Sequence, residues 1–206
     1  LMQENLGLGI MSEIPCVIFD VQRSGPSTGA ATKPAQADIM QARYGVHGDH
    51  SIIAISPSSV QDCYDLTITA FNLAEKYRTP VLFMADEVIG HLRETVTETE
   101  PEPDQIFNRI QPDPDVTQKD FRPYGYSTYM PAPMPAVGNP KLLMRTTGST
   151  HDEKGEFGPG PDNINRVTHY LTDKIEKNVD DISITRAYHL EDAEVAFITF
   201  GCSVRS

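Results

Sequence analysis

Three short apolar runs constrain the fold of this chain more than any other feature. They are IPCVIFDV at residues 14–21, SIIAIS at 51–56 and TPVLFMADEVIG at 79–90, each close to unbroken in apolar residues, many of them β-branched. A strand with one wet face alternates apolar and polar residues. A strand covered on both faces does not, and such strands belong to parallel sheets. Parallel neighbours need long crossovers, usually helical, and the sequence supplies two. Thr32, Lys33 and Pro34 read as a helix start, with Pro tolerated in the first turn. That helix runs through AQADIMQARY and stops at Gly45 as a left-handed C′ residue. Ser59 to Asp62 has the form of a capping box with Asp in the usual Glu position. Val60, Cys63, Thr67, Ala70, Phe71, Ala74 and Tyr77 then recur at helical spacing. Strand, helix, strand, helix, strand predicts an α/β layer on a parallel sheet, with ligands beyond the carboxyl ends of the strands.

Downstream the texture changes. Residues 94–120 are acidic and rich in Pro (ETVTETEPEPDQ, QPDPDVTQKD), which reads as a linker or extended arm. FRPYGYSTYMPAPMPAVGNP suits an irregular segment laid over a neighbouring surface, TTGSTHDEKGEFGPGPDN a polar loop, and INRVTHYLTDKIEKNVDDI a helix. AEVAFITFG at 193–201 is again a buried-strand pattern and predicts the first strand of a second α/β domain. The expected division is 1–93, 94–191 and 192–206. Because the sequence does not start with Met, a piece of a longer protein is expected.

The 29 acidic against 17 basic residues give a net charge of −12, which opposes a nucleic-acid-binding surface but not one basic pocket for a small anion. No apolar run reaches the roughly 18 residues of a membrane helix, and the N-terminus lacks the basic region of a secretory signal. The 3 cysteines, Cys16, Cys63 and Cys202, lack metal-binding spacing and read as buried free thiols of a cytoplasmic protein.

The candidate site is DVQRSGPSTGAATK, at the end of the first apolar run. It is not a Walker A loop: Ala30 stands where the second Gly is required, and Pro34 follows Lys33. What remains is a turn with successive backbone N–H groups, the hydroxyls of Ser24, Ser27 and Thr28, and the guanidinium of Arg23, a planar fork matched to a carboxylate or phosphate. An anion site and an ordinary structural loop are both open readings. HGDH places His47, Asp49 and His50 around a glycine, but no further ligand is spaced to complete a metal site, so turn chemistry or support of a neighbouring site is the plainer reading. His91, His169 and His189 are isolated. Asp86 and Glu87 point to opposite faces if both lie on a strand, which suits one of them to a strand end.

The order of these motifs resembles a known family. QR-x-GPSTG, then TK, HGDH, SVQDCYDLTITAFNLAEKYRTPVLFMADEVIG and TGSTHDEKG resemble the α subunit of 2-oxoacid:ferredoxin oxidoreductases, most of all the 2-oxoglutarate-directed members, over essentially the whole chain. GAATK departs slightly from the more usual GLPTK. The resemblance implies the pyrimidine-side domain of a thiamine-diphosphate fold, here incomplete, followed by the start of a second α/β domain. It implies oxidative decarboxylation of a 2-oxoacid with CoA to acyl-CoA, CO2 and reduced ferredoxin. Thiamine diphosphate would be shared with a β subunit. Mg2+ and an iron–sulfur cluster would lie in partner subunits, and γ and ferredoxin-like δ subunits or ferredoxin would complete the complex.

Carried over by position, Arg23 holds the substrate carboxylate, while Ser24, Gly25, Ser27, Thr28 and Gly29 shape its loop. The family's YPITP-type motif, the glutamate that activates the aminopyrimidine and the partner's diphosphate motif are not in this sequence. The chain alone is therefore expected to be inactive. Two other classes carry weight: a non-catalytic α-like assembly or docking subunit, which the intact Arg23 loop opposes, and a ferredoxin-independent thiamine-diphosphate enzyme, which the acidic arm and the TGSTHDEKG loop oppose.

Overall fold

The computed structural model describes residues 2–125 and 129–206. Positions 126–128, in the middle of the Tyr/Pro-rich segment expected to be irregular, lie outside the described residues. Three strands, β1 (Cys16–Gln22), β2 (Ile53–Ile55) and β3 (Pro80–Asp86), form a parallel sheet in the order β1-β3-β2. Strand β3 is the centre, and all of its residues are buried. Its side chains alternate between two cores, as a strand's must. Val81, Phe83 and Ala85 pack with Ala70, Leu73, Ala74 and Tyr77 of α3 (Val60–Tyr77). Leu82 and Met84 pack on the other face with Leu6 and Ile10 of α1 (Met2–Met11) and with Val167, Tyr170 and Leu171 of a long late helix, Pro161–Glu176.

Several expectations are adjusted. Strand β1 is an edge strand with Phe19 and Val21 more than half exposed, not a strand buried on both faces. Strand β2 keeps only the middle of its apolar run. The first crossover helix, α2 (Asp38–Tyr44), starts later than Pro34 suggested, and Gly45 caps it with φ −76°, an ordinary right-handed conformation rather than a left-handed one. Strand β3 stops at Asp86, and Glu87 opens a short helix, α4 (Glu87–His91). The late helix is two, α5 (Pro161–Glu176) and α6 (Val179–Ile182), separated at Asn178, whose side-chain amide donates to the Lys174 carbonyl at 2.9 Å. Phe71 is exposed because it lies one residue, about 100°, beyond the buried stripe, which Leu73 completes.

Residues 193–200 form no strand: Phe197 and Ile198 are over 90% exposed, and no described strand lies beside them to pair with. The three cysteines are free but only partly buried, Cys202 lying in a 3₁₀ turn, Gly201–Arg205. Burial raises the Cys16 thiol pKa.

The N-terminus of α3 is capped at two levels. Ser59 Oγ accepts from the Asp62 amide at 2.9 Å, as a capping residue should. The Asp62 carboxylate reaches one residue further back than the capping-box pattern implied, accepting from the Ser58 amide and the Ser58 hydroxyl. Burial opposes the Asp62 charge, but these hydrogen bonds and Arg186 together hold its pKa below the usual value. Replacing Ser59 with Ala leaves the Asp62 N–H without its acceptor and is expected to cost about 1 kcal/mol in a urea unfolding measurement.

The acidic arm is a strap. It follows the polar face of α3 in order: Glu94 accepts from the Val60 amide, Gln61 exchanges two hydrogen bonds with Thr97, Tyr64 donates to the Thr99 carbonyl, and Asn72 bonds both Gln105 and Phe107. Arg109 closes the run with a two-pronged pair to Glu75, both contacts at 2.7 Å. Tyr64, Asn72 and Glu75 lie off the apolar stripe, so one helix serves the core and the strap together.

A charged knot ties the amino edge of the sheet. Glu13, just before β1, meets Lys174 of α5 at 2.9 Å and Arg78, just before β3, at 3.3 Å, with all three side chains buried. Arg78 also donates to the carbonyls of Pro123 and Ala132, and so anchors the Tyr/Pro-rich segment. Burial works against the Glu13 charge, but Lys174 and Arg78 lower its pKa on balance. Tyr124 stacks on His151 beside the knot, and burial pushes its phenol up to about 12.

Candidate functional site

The carboxyl ends of β1 and β3 are level, with Gln22 in register with Asp86. From Gln22 the chain enters the Arg23 loop. Its neck is closed by the Ser24 amide on the Lys33 carbonyl at 2.9 Å and the Lys33 amide on the Ala30 carbonyl at 3.1 Å. Gly29 has φ +52°, and a Cβ there would lie 2.3 Å from the Ser24 carbonyl oxygen, so the neck admits only glycine. Ser27 and Thr32 are also left-handed, with φ 53° and 62°. Residues 25–34, including Gly25, Ser27, Thr28 and Gly29, are exposed, while Arg23 and Ser24 are partly buried.

The Arg23 guanidinium donates to the carbonyls of Thr28 and Ser24 within its own loop. Among the described residues no carboxylate pairs with it, so its positive charge is not neutralised by an ion pair within the chain. Neutral carbonyls are weaker partners than an anion. The small cavity near Glu13, Tyr124 and Tyr170 does not reach Arg23, and neither does the open groove between α3 and residues 104–108. The Arg23 loop therefore presents one wall, and a closed pocket there needs a second surface.

The HGDH turn does not join it. His50 leads into β2 at the amino end of the sheet, whereas Arg23 follows β1 at the carboxyl end, and in a parallel sheet these are opposite edges. His47 is exposed and lies 3.8 Å from Glu4, Asp49 is exposed, and buried His50 turns its Nδ1 to the Gly48 carbonyl at 3.2 Å. These residues shape the entrance to β2 and make no contact that supports the Arg23 loop. Among the described residues no group of three or more His, Cys, Asp or Glu is arranged to hold a metal ion.

Two further polar groups lie at the carboxyl edge, Gln22 and Asp86 of the Asp-Glu pair. Gln22 is fully buried, and its amide oxygen and nitrogen are both without a partner. Asp86 is 1% exposed; its Oδ2 accepts from Gln36 Nε2 and from the Cys202 amide, while its Oδ1 has no partner. Periodicity cannot reveal such groups, because a polar residue ending an apolar run reads as the start of a loop. The Asp-Glu pair was the only signal. Asp86 ends the strand, as one of the pair was expected to, and Glu87 opens α4 and meets His91 Nδ1 at 2.7 Å.

Residues 1–157 match the family model described as pyruvate flavodoxin/ferredoxin oxidoreductase, thiamine diphosphate-binding. The 2-oxoglutarate synthase subunit KorA of Methanocaldococcus jannaschii is 44% identical over 206 residues, covering 100% of this chain and 54% of that protein. The corresponding subunit of Methanothermobacter thermautotrophicus is 44% identical over 207 residues with the same coverage. A solved structure, 2-oxoglutarate:ferredoxin oxidoreductase from Magnetococcus marinus with 2-oxoglutarate, coenzyme A and succinyl-CoA bound, superposes with a TM-score of 0.77 at 34% identity, over 89% of this chain and 32% of that one. The chain thus spans about half the length of the curated relatives it matches. Among the described residues no helix is long and apolar enough to cross a membrane.

Proposed function

Since the chain belongs to the thiamine-diphosphate-binding family of pyruvate flavodoxin/ferredoxin oxidoreductases, we propose that it forms the cofactor-domain portion of a 2-oxoglutarate synthase α subunit. The proposed reaction is the oxidative decarboxylation of 2-oxoglutarate, or a related 2-oxoacid, with CoA to acyl-CoA, CO2 and reduced ferredoxin. The observation that carries this reading is Arg23, at the carboxyl end of β1, with no acidic partner among the described residues. A guanidinium held only by neutral carbonyls can exchange them for a carboxylate, gaining a charge-assisted pair. In that role Arg23 orients the 2-oxoacid by its C1 carboxylate, and the glycine-bearing neck fixes the height of the fork above the sheet edge.

The residues present fit only part of the cofactor. Gln22 offers one donor and one acceptor, buried and unpartnered, beside Arg23, which suits a neutral hydrogen-bonding ring edge. The described residues offer no converging metal ligands of the kind a diphosphate's Mg2+ requires. Gln22 would therefore hold the pyrimidine side of thiamine diphosphate, and a β subunit would hold the diphosphate, Mg2+ and an iron–sulfur cluster. When bound, the cofactor supplies the nucleophilic carbon and electron sink for decarboxylation. The one-walled Arg23 site supports a partner surface completing the pocket, with γ and ferredoxin-like δ subunits or ferredoxin receiving the electrons. We also read residues 192–206 as the start of a second α/β domain, which the exposed Phe197 and Ile198 support.

The test is a panel of 2-oxoacids on the assembled complex with CoA and a low-potential acceptor. The expected order of kcat/KM places 2-oxoglutarate above pyruvate and branched-chain 2-oxoacids. No turnover of any 2-oxoacid would overturn the proposal.

A further inference from the structure

The two roots of the Arg23 loop lie beside Asp86, one in strand register with it and the other hydrogen-bonded to its carboxylate. The loop leaves the sheet at Gln22, the register partner of Asp86. It returns at Gln36, whose Nε2 donates to Asp86 Oδ2 at 2.9 Å and to the Phe200 carbonyl at 3.0 Å. The same Oδ2 accepts from the Cys202 amide at 2.6 Å. Gly201, with φ +62°, is needed for that approach, since a Cβ there would lie 2.3 Å from Asp86 Oδ2. Ser203 Oγ reaches Gln36 Oε1 at 3.5 Å, and Arg205 pairs with Glu94 at 2.6 Å, so the 3₁₀ turn is held at both ends.

We propose that Asp86 is a positioning residue that fixes the Arg23 loop, through Gln36, against the turn at Gly201–Arg205. A polar side chain buried this deeply is a costly way to join two loops unless their placement matters. Its location supports that reason: the exposed loop tip has few tertiary contacts of its own, and its height is set at the neck and at these two roots. Asp86 Oδ1 and the amide of its register partner Gln22 are both without a partner, leaving capacity for a further hydrogen-bonding group. The inference rests on Arg23 being the substrate clamp. It adds that the turn at Gly201–Arg205 and the clamp are one mechanical unit.

The test uses the assembled complex with Asp86→Ala, Gln36→Ala and the conservative Asp86→Asn, alongside R23A. D86A removes the acceptor of both the Gln36 side chain and the Cys202 amide, whereas the amide oxygen of Asn takes the Oδ2 position and accepts from both, with its NH2 in place of the unpartnered Oδ1. Expected for D86A and Q36A is a rise of about tenfold in KM for the 2-oxoacid with kcat within about twofold. Hydrogen exchange should increase in residues 24–36 and 200–205 but not in β3. D86N should keep most of the wild-type KM, and in an R23A background D86A should add little. Wild-type KM and exchange in D86A, with R23A impaired, would overturn this inference while leaving the Arg23 reading intact. Loss of protection in β3 as well would make Asp86 a stability residue only and would also overturn it. An unimpaired R23A would remove the Arg23 reading itself.

Discussion

Replacing Arg23 with Ala in the assembled enzyme lowers kcat/KM for 2-oxoacids by about tenfold to two-hundredfold. That range corresponds to the roughly 1.5–3 kcal/mol of a charge-assisted hydrogen bond. The loss is expected mainly in KM, since the fork binds the carboxylate before and during the reaction alike. Lys at this position should recover only part of it. An ammonium restores the charge but not the planar pair of parallel N–H donors. The free state strengthens the expectation, because the guanidinium rests on carbonyls of its own loop, and losing those alone changes little at the sheet edge. Steady-state kinetics over several 2-oxoacids checks it. An equal loss for all of them indicates recognition of the shared C1 carboxylate.

The largest stability effect is expected far from that edge. Converting Glu13 to Gln leaves Lys174 and Arg78 buried around a neutral amide. Breaking a buried ion pair from one side costs about 3–5 kcal/mol, most of a typical domain's margin. Removing Glu13 and Lys174 together, as E13M/K174M, should cost far less than E13Q, because fewer charges remain stranded in the interior. Urea unfolding of the three proteins gives the comparison. The same knot sets an acid limit. The folded Glu13 pKa lies below the unfolded value of about 4.3, so its contribution is present above that pH and is lost as pH falls through the folded pKa. Acid unfolding of E13M/K174M should therefore be less steep than that of the wild type.

The elements and the polar contacts differed in how well the sequence revealed them. Apolar run length was enough for β3, because a central strand meets the same environment on both faces. It misjudged β1 at Phe19 and Val21, since an apolar residue does not say whether a neighbouring element exists to cover it. Helix α3 was legible to its cap, yet the Asp62 carboxylate sits one residue off the expected partner, a difference of side-chain reach that spacing cannot resolve. The run at 193–201 has the composition of a strand but no ladder partner among the described residues, and backbone pairing, not composition, makes a strand. Arg23 was visible because an arginine between a strand and a glycine-rich turn is chemically unusual. The contacts of Gln22, Gln36 and Asp86 were not, because they span up to 167 positions. His47, Asp49 and His50 stood out by composition and were separated from the site by the parallel direction of the strands alone.

What the Arg23 fork holds once substrate is present decides whether it is the carboxylate clamp. A crystal structure of the assembled complex with a bound 2-oxoacid reads this directly. The prediction is that the guanidinium leaves the Thr28 carbonyl and meets both C1 carboxylate oxygens at about 2.7–2.9 Å. A substrate carboxylate paired to another cation, with Arg23 still folded onto Thr28, would contradict it.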